Sequence, residues 1–139
     1  MALVGFNTAF APMIFNHLIG WFSFNPWSAL AFNASAMTVV ITTFLAAASA
    51  MLSTLFFYYI DSKKNPDVLY AVNGILIGLI MITPLAGFVS PASSVVLGLL
   101  GGPLFVYGSK RFATHKRYSD LIDLFPGHLV SGIFGILMI

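Results

Sequence analysis

The chain ends in a long apolar stretch, and in it stands one titratable ring: His128, in DLFPGHLVSG (123–132). A histidine in an apolar setting costs free energy unless it finds polar partners. Neutral imidazole donates from one nitrogen and accepts at the other, so His128 could guide a small polar molecule or relay a proton. It could equally be a structural histidine bonded to a neighbouring element. Ionisable residues at membrane depth face cavities or pathways far more often than lipid. A second group lies in GWFSFNPWSAL (20–30), where Trp21, Phe24 and Trp27 recur at threes and Ser28 follows. Such aromatics either form a belt at a membrane surface or offer their faces to a cation, with the Ser28 hydroxyl as an oxygen acceptor. Thr83, just before Pro84, is a third polar group. Its hydroxyl either bonds to its own helix backbone or faces a pore. Asp120 and Asp123 precede the last apolar run, where carboxylates suit the positive end of a helix. Asn7, Asn16 and His17 lie in the first apolar run, and no visible acid pairs with His17.

The elements that position these residues are helices in a bilayer. The 139 residues are 59% hydrophobic and 7% charged, whereas a soluble domain carries roughly a quarter charged residues. There is no cysteine, which excludes disulfides and thiolate metal sites. The three histidines show no HxxH or HxxxH spacing, so no metal site is expected, and no cofactor is called for. A formal charge of +2 is too small for a nucleic-acid surface. The first run lacks the basic start of a secretory signal and is expected to remain in the mature chain.

All charged residues fall in DSKKNPD (61–67) and SKRFATHKRYSDLID (109–123). Apolar runs between and around them predict five spans: 1–24, 34–60, 68–86, 92–109 and 121–139. The uncharged breaks FNPWS (24–28) and GFVSP (87–91) carry Gly, Pro, Asn and Ser. With five spans, every Lys and Arg lies on one side, which the positive-inside rule makes cytoplasmic. The N-terminus is then cytoplasmic and the fifth helix runs outward. His128, eight residues beyond Asp120, is expected about 12 Å into the membrane. Gly74 and Gly78, Gly98 and Gly102, and Gly127, Ser131 and Gly135 repeat the four-residue spacing of small residues at helix contacts. LAAASA (45–50) is the one tract of low complexity. A membrane enzyme using His128 with Asp123 is disfavoured, because residues five apart on a helix project to different faces.

In order along the chain, GWFSFNPWSAL, NGILIGLIMITPLAGFVSP and DLIDLFPGHLVSGIFG resemble the ammonium transporter family (Amt/Mep/Rh). The resemblance runs from about residue 18 onward, with the spacing Asp120, Asp123, Phe125, His128 as its most specific part. It implies an all-α polytopic membrane fold, in which residues 1–139 form the second half of an inverted repeat of five-helix units. It also implies a homotrimer, or association with a complementary half, in a cell membrane. By position, Phe24 resembles one member of an outer phenylalanine gate and Ser28 the serine that helps hold ammonium. Trp21 and Thr83 resemble residues of the pore wall, and His128 the second of a pore histidine pair. Asp120 and Asp123 match helix-start acids with structural roles. The function implied is ammonium transport, not enzymatic: ammonium loses its proton at the outer mouth and ammonia passes along the histidines. The alternative is a non-conducting module that senses ammonium or serves a structural role. The sequence departs from the family pattern at Ser23, Trp27, Pro126 and Leu129, and Pro126 is expected to loosen the first turns of the last helix.

Overall fold

The computed structural model describes residues 16, 18–27, 34–113 and 125–138. Their order is α1 (18–27), α2 (Ala34–Ser62), α3 (Val68–Ile82), α4 (Pro91–Ala113), a π-helix (Phe125–Val130) and α5 (Ser131–Leu137). No strand occurs among the described residues. The chain is an all-α polytopic membrane protein. Its α2 and α4 contain segments long and apolar enough to cross a bilayer, Ala36–Ser62 and Pro91–Arg111.

Local chemistry sets the helix starts. Asp67 caps α3, its carboxylate accepting from the Val68 N–H at 2.6 Å. Ser90 caps α4, accepting from the Ser93 N–H at 3.2 Å. Pro91 takes the first helical position, where its missing N–H costs nothing. The third span is shorter than the sequence predicts. It ends at Ile82 rather than residue 86, and turns occupy 83–88. Pro84 explains this, since proline biases the residue before it away from helical geometry and cannot donate to the helix ladder. Conversely, α1 continues through Trp27, past the expected break at residue 24. Pro26 falls in its last described turn, and Asn25 Nδ2 donates to Thr43 Oγ1 of α2 at 3.1 Å, tying that turn down. The expected fifth span begins, among the described residues, as a π-helix over FPGHLV and becomes α-helical only at Ser131. Pro126 cannot donate to an α-helical ladder, which accords with a wider turn at this point.

The packing is inside-out relative to a soluble protein. Met37, Phe44, Leu52 and Phe56 of α2 are exposed, whereas Thr42, Thr43, Ser49, Ser53 and Thr54 are buried. Large apolar side chains turned outward suit lipid, and small or hydroxylated residues turned inward let backbones meet. The LAAASA tract is that meeting surface. A Cβ added at Gly78 would overlap the Ala46 carbonyl and lie 2.7 Å from Ala47 Cα. One added at Gly98 would strike Ser49 Oγ and the Ala46 carbonyl, and one at Gly135 would lie 3.2 Å from Met81 Cα. All three glycines stand on helices other than α2 or against their neighbour's backbone, so the four-residue spacing marks true helix contacts.

A proline deep in α4 creates one further polar contact. Pro103 lies inside the helix and cannot donate to the carbonyl four residues earlier, that of Leu99. Ser53 of α2 supplies the missing donor, its hydroxyl reaching the Leu99 oxygen at 2.6 Å. Hydroxyl side chains commonly satisfy carbonyls freed by proline in membrane helices. Gly102 makes the approach possible, because a Cβ there would lie 2.6 Å from the Ser53 carbonyl carbon. Ser53→Ala should therefore cost about 1–2 kcal/mol through the orphaned carbonyl, read as a lower midpoint in reversible detergent unfolding. At the charged end of the bundle, Lys110 of α4 pairs with Asp61 near the end of α2. Tyr58 and Tyr70 stack there with ring centroids 3.9 Å apart.

Candidate functional site

The motif around Trp21 and the one around Thr83 meet at the opposite, uncharged end of the bundle. The indole N–H of Trp21 donates to Thr83 Oγ1 at 2.9 Å, across 62 residues of sequence. The Thr83 hydroxyl in turn donates to the Leu79 carbonyl at 2.7 Å. Thr83 thus does both things its position suggests: it bonds to its own helix and fixes an aromatic ring on another. With its proton committed to Leu79 and one lone pair to Trp21, the hydroxyl keeps one acceptor position.

This bond sits in an open groove of about 470 Å³, lined by Asn16, Gly20, Trp21, Phe24 and Thr83. Asn16, itself helical and just ahead of α1, and Gly20 and Phe24 on α1 are spaced at intervals of four, the spacing of one helix face. A Cβ at Gly20 would meet nothing within 4 Å, so the groove is open at that position. Phe24 is exposed, while Trp21 is half-buried. Trp27 is not part of the lining and is 71% exposed, as a ring at a membrane surface would be. No described lining residue carries a charge or titrates. The aromatic faces and hydroxyl oxygen make an environment that attracts a compact cation without offering it a counter-charge.

Among the sequence-predicted site residues, Trp21, Phe24 and Thr83 come together. His128 is not part of the groove. It lies on the π-helix, exposed, and no hydrogen bond joins it to another described residue. Its depth follows from the α3–α5 contact: Gly135 meets the backbone of Met81, and His128 is seven residues earlier. That separation is about 10 Å along the axis, against about 22 Å for the length of α3. His128 therefore stands roughly halfway down the bundle from the groove. Its neighbours on the same segment, Gly127 and Ser131, are buried, so the segment turns these small residues inward and presents the imidazole away from α3 and α4. Ser28, Asp120 and Asp123 lie outside the described residues, as do Asn7 and His17.

Sequence reasoning did not assign Asn16 to the site. The signal was present in retrospect, since its spacing of four and eight to Gly20 and Phe24 is that of one helix face. Nor was the Trp21–Thr83 bond legible, because nothing local links the two.

Comparison with known proteins places this geometry in context. The family model described as the Ammonium Transporter Family matches residues 15–139. An ammonium transporter of Bacillus subtilis is 39% identical over 116 residues, covering 84% of this chain and 28% of the relative. Ammonium transporter Amt1 of Archaeoglobus fulgidus is 35% identical over 116 residues, covering 84% of this chain and 29% of the relative. Among solved structures, a sensor Amt protein aligns with a TM-score of 0.83 and 32% identity, over 89% of this chain and 30% of its own. Saccharomyces cerevisiae Mep2 aligns with a TM-score of 0.74 and 32% identity, over 85% of this chain and 27% of its own. The chain thus spans less than a third of the length of each of these proteins. These curated relatives are named as transporters, not enzymes. The match over residues 15–139, together with 39% identity to a curated relative over 84% of the chain, establishes that this chain belongs to the ammonium transporter family.

Proposed function

We propose that residues 1–139 form the second five-helix half of an ammonium-conducting pore in the plasma membrane, with the groove between α1 and α3 as its outer mouth. The observation that carries this reading is the Trp21–Thr83 hydrogen bond, which brings two separate motifs to one groove beside Phe24. Ammonium is drawn to the aromatic faces of Trp21 and Phe24, and Ser28 adds an oxygen acceptor at the end of the same segment. The cation cannot continue inward, because burying an unpaired charge in an apolar passage costs several kcal/mol. It gives its proton to water at the mouth, and neutral ammonia passes on to His128. There the imidazole accepts from and donates to it in turn, as partner and relay.

The distribution of Lys and Arg supports a cytoplasmic N-terminus and an outward-facing groove. Asp120 and Asp123 serve as structural acids at the start of the last helix. The wall facing His128 comes from a complementary half, and the assembled unit is a homotrimer. A second reading, ammonium sensing without conduction, draws support from the likeness to a solved sensor Amt protein.

Binding at the mouth is tested on the purified chain in lipid nanodiscs. The chain has two tryptophans, so a Trp27→Phe background leaves Trp21 as the single reporter in the groove. Methylammonium should change its emission saturably. Phe24→Ala should weaken that binding about fivefold, the worth of one cation–π contact at a partly exposed site. Phe24 is 60% exposed, so removing its ring leaves no core cavity. Equal affinity in the Phe24→Ala variant would refute the assignment.

A further inference from the structure

The segment that carries His128 breaks the helical register, and the break decides where the imidazole points. In an α-helix successive side chains step round by about 100°, so residues seven apart face within about 20° of each other. His128 lies seven residues before Gly135 and three before Ser131, so one uninterrupted α-helix would set all three on a common side. That side is the packed one: Ser131 and Gly135 are buried, and a Cβ at Gly135 would lie 3.2 Å from Met81 Cα of α3. His128 is nevertheless exposed, and Gly127 is buried in its place. A Cβ at Gly127 would come 4.0 Å from Cε2 of Phe105, a fully buried ring of α4. The π-helix over Phe125–Val130 accounts for the exchange. Its i→i+5 bonding takes one residue more into each turn. Gly127 thereby comes into line with Ser131, four residues on, and His128 swings off the packed side.

Pro126, the second residue of that π-helix, is the residue in it that a regular α-helix tolerates least. Proline removes an N–H from the ladder, and in α geometry its ring collides with the carbonyl four residues back. It also drives the preceding residue, here Phe125, away from the α conformation. A wider turn makes room for the ring. Single π-turns within helices are frequent at functional sites, and this one holds the titratable ring of its helix. We propose that Pro126 is a positioning residue for transport. By keeping Phe125–Val130 in the π register, it holds the His128 imidazole off the α3 contact and aims it at the open side of the bundle. The direction of the ring is a property of this chain alone, and only its consequence for transport rests on the half-pore reading.

Pro126→Ala separates aim from stability. Alanine restores the N–H and is the best helix former. The segment should close into α geometry and turn position 128 toward α3, with an unfolding midpoint no lower than the parent's. The chain has no cysteine, so a nitroxide on His128→Cys or Leu129→Cys reports one site at a time in lipid nanodiscs. Both positions are exposed, and with Pro126 present dissolved oxygen should collide with both labels at rates within twofold of each other. Adding Pro126→Ala should lower the rate at 128 at least threefold and leave that at 129 unchanged. In cells that also express the complementary half, Pro126→Ala with His128 intact should lower methylammonium uptake at least tenfold, as misplacing a reacting group does. Methylammonium binding to the Trp27→Phe chain, read from Trp21, should stay within twofold. An unchanged collision rate at 128, or uptake kept despite a lowered rate, would overturn the positioning role. A lowered midpoint would overturn it too, since uptake lost with the fold is what a structural proline gives. A pair without uptake before any substitution would remove the half-pore reading, and with it the role in transport. The collision rates would still decide whether Pro126 aims the ring.

Discussion

Replacing Gly78 by valine is expected to destabilise the bundle strongly. Even the first carbon of a new side chain would overlap the Ala46 carbonyl and crowd Ala47 Cα at 2.7 Å. Those atoms belong to the α2 backbone and cannot rotate away, so the two helices must separate. Overpacking of this kind costs about 1–3 kcal/mol or more. The loss is larger where close backbone approach is itself the source of association, as it is in lipid. The measurement is the midpoint of unfolding in mixed micelles of increasing dodecyl sulfate content. Gly87→Ala is the control: a Cβ there meets nothing within 4 Å, no described glycine has positive φ, and its midpoint should not move. Equal midpoints for Gly78→Val and Gly87→Ala would mean that the α2–α3 contact is not the one described.

The second large effect concerns His128 and falls on transport, with stability unchanged. The ring is exposed on its segment and holds no other described residue by a hydrogen bond, so His128→Ala removes little that keeps the chain folded. If the imidazole relays a proton or carries ammonia through the pore, its loss should reduce methylammonium uptake by about a hundredfold, in the range of a positioned proton-transfer group. Binding at the groove should survive, because His128 is not among the lining residues and sits about 10 Å further in. A structural histidine would give the opposite pattern, a lowered unfolding midpoint with uptake reduced only in proportion.

The contrast between these two residues reflects what a sequence of this kind makes legible. The family, the membrane class and the helix contacts were readable because each depends on local or periodic signals. Charges confined to two loops mark the ends of the helices, and glycines at intervals of four mark the faces that touch. LAAASA reads as low complexity, yet its smallness is what admits Gly78 and Gly98. Helix ends were less legible. Pro84 stops α3 at Ile82, while Pro26 does not stop α1 before Trp27, because Asn25 is bonded to Thr43. A proline's effect depends on whether a tertiary partner holds the turn around it. The same holds for Pro103, tolerated within α4 because Ser53 satisfies the carbonyl it leaves free. The Trp21–Thr83 bond and the place of Asn16 in the groove are products of packing between helices. Only the folded chain brings them together.

The central claim is that this chain supplies one half of an ammonium pore, and uptake of radiolabelled methylammonium tests it most directly. Cells lacking their own ammonium transporters would express the chain alone, with a complementary first half from a related transporter, or with that half and His128→Ala. Uptake is expected from the pair, and neither from the chain by itself nor from the pair carrying the substitution. An inert pair whose two halves assemble in the membrane, or robust uptake by the chain alone, would contradict the half-pore reading.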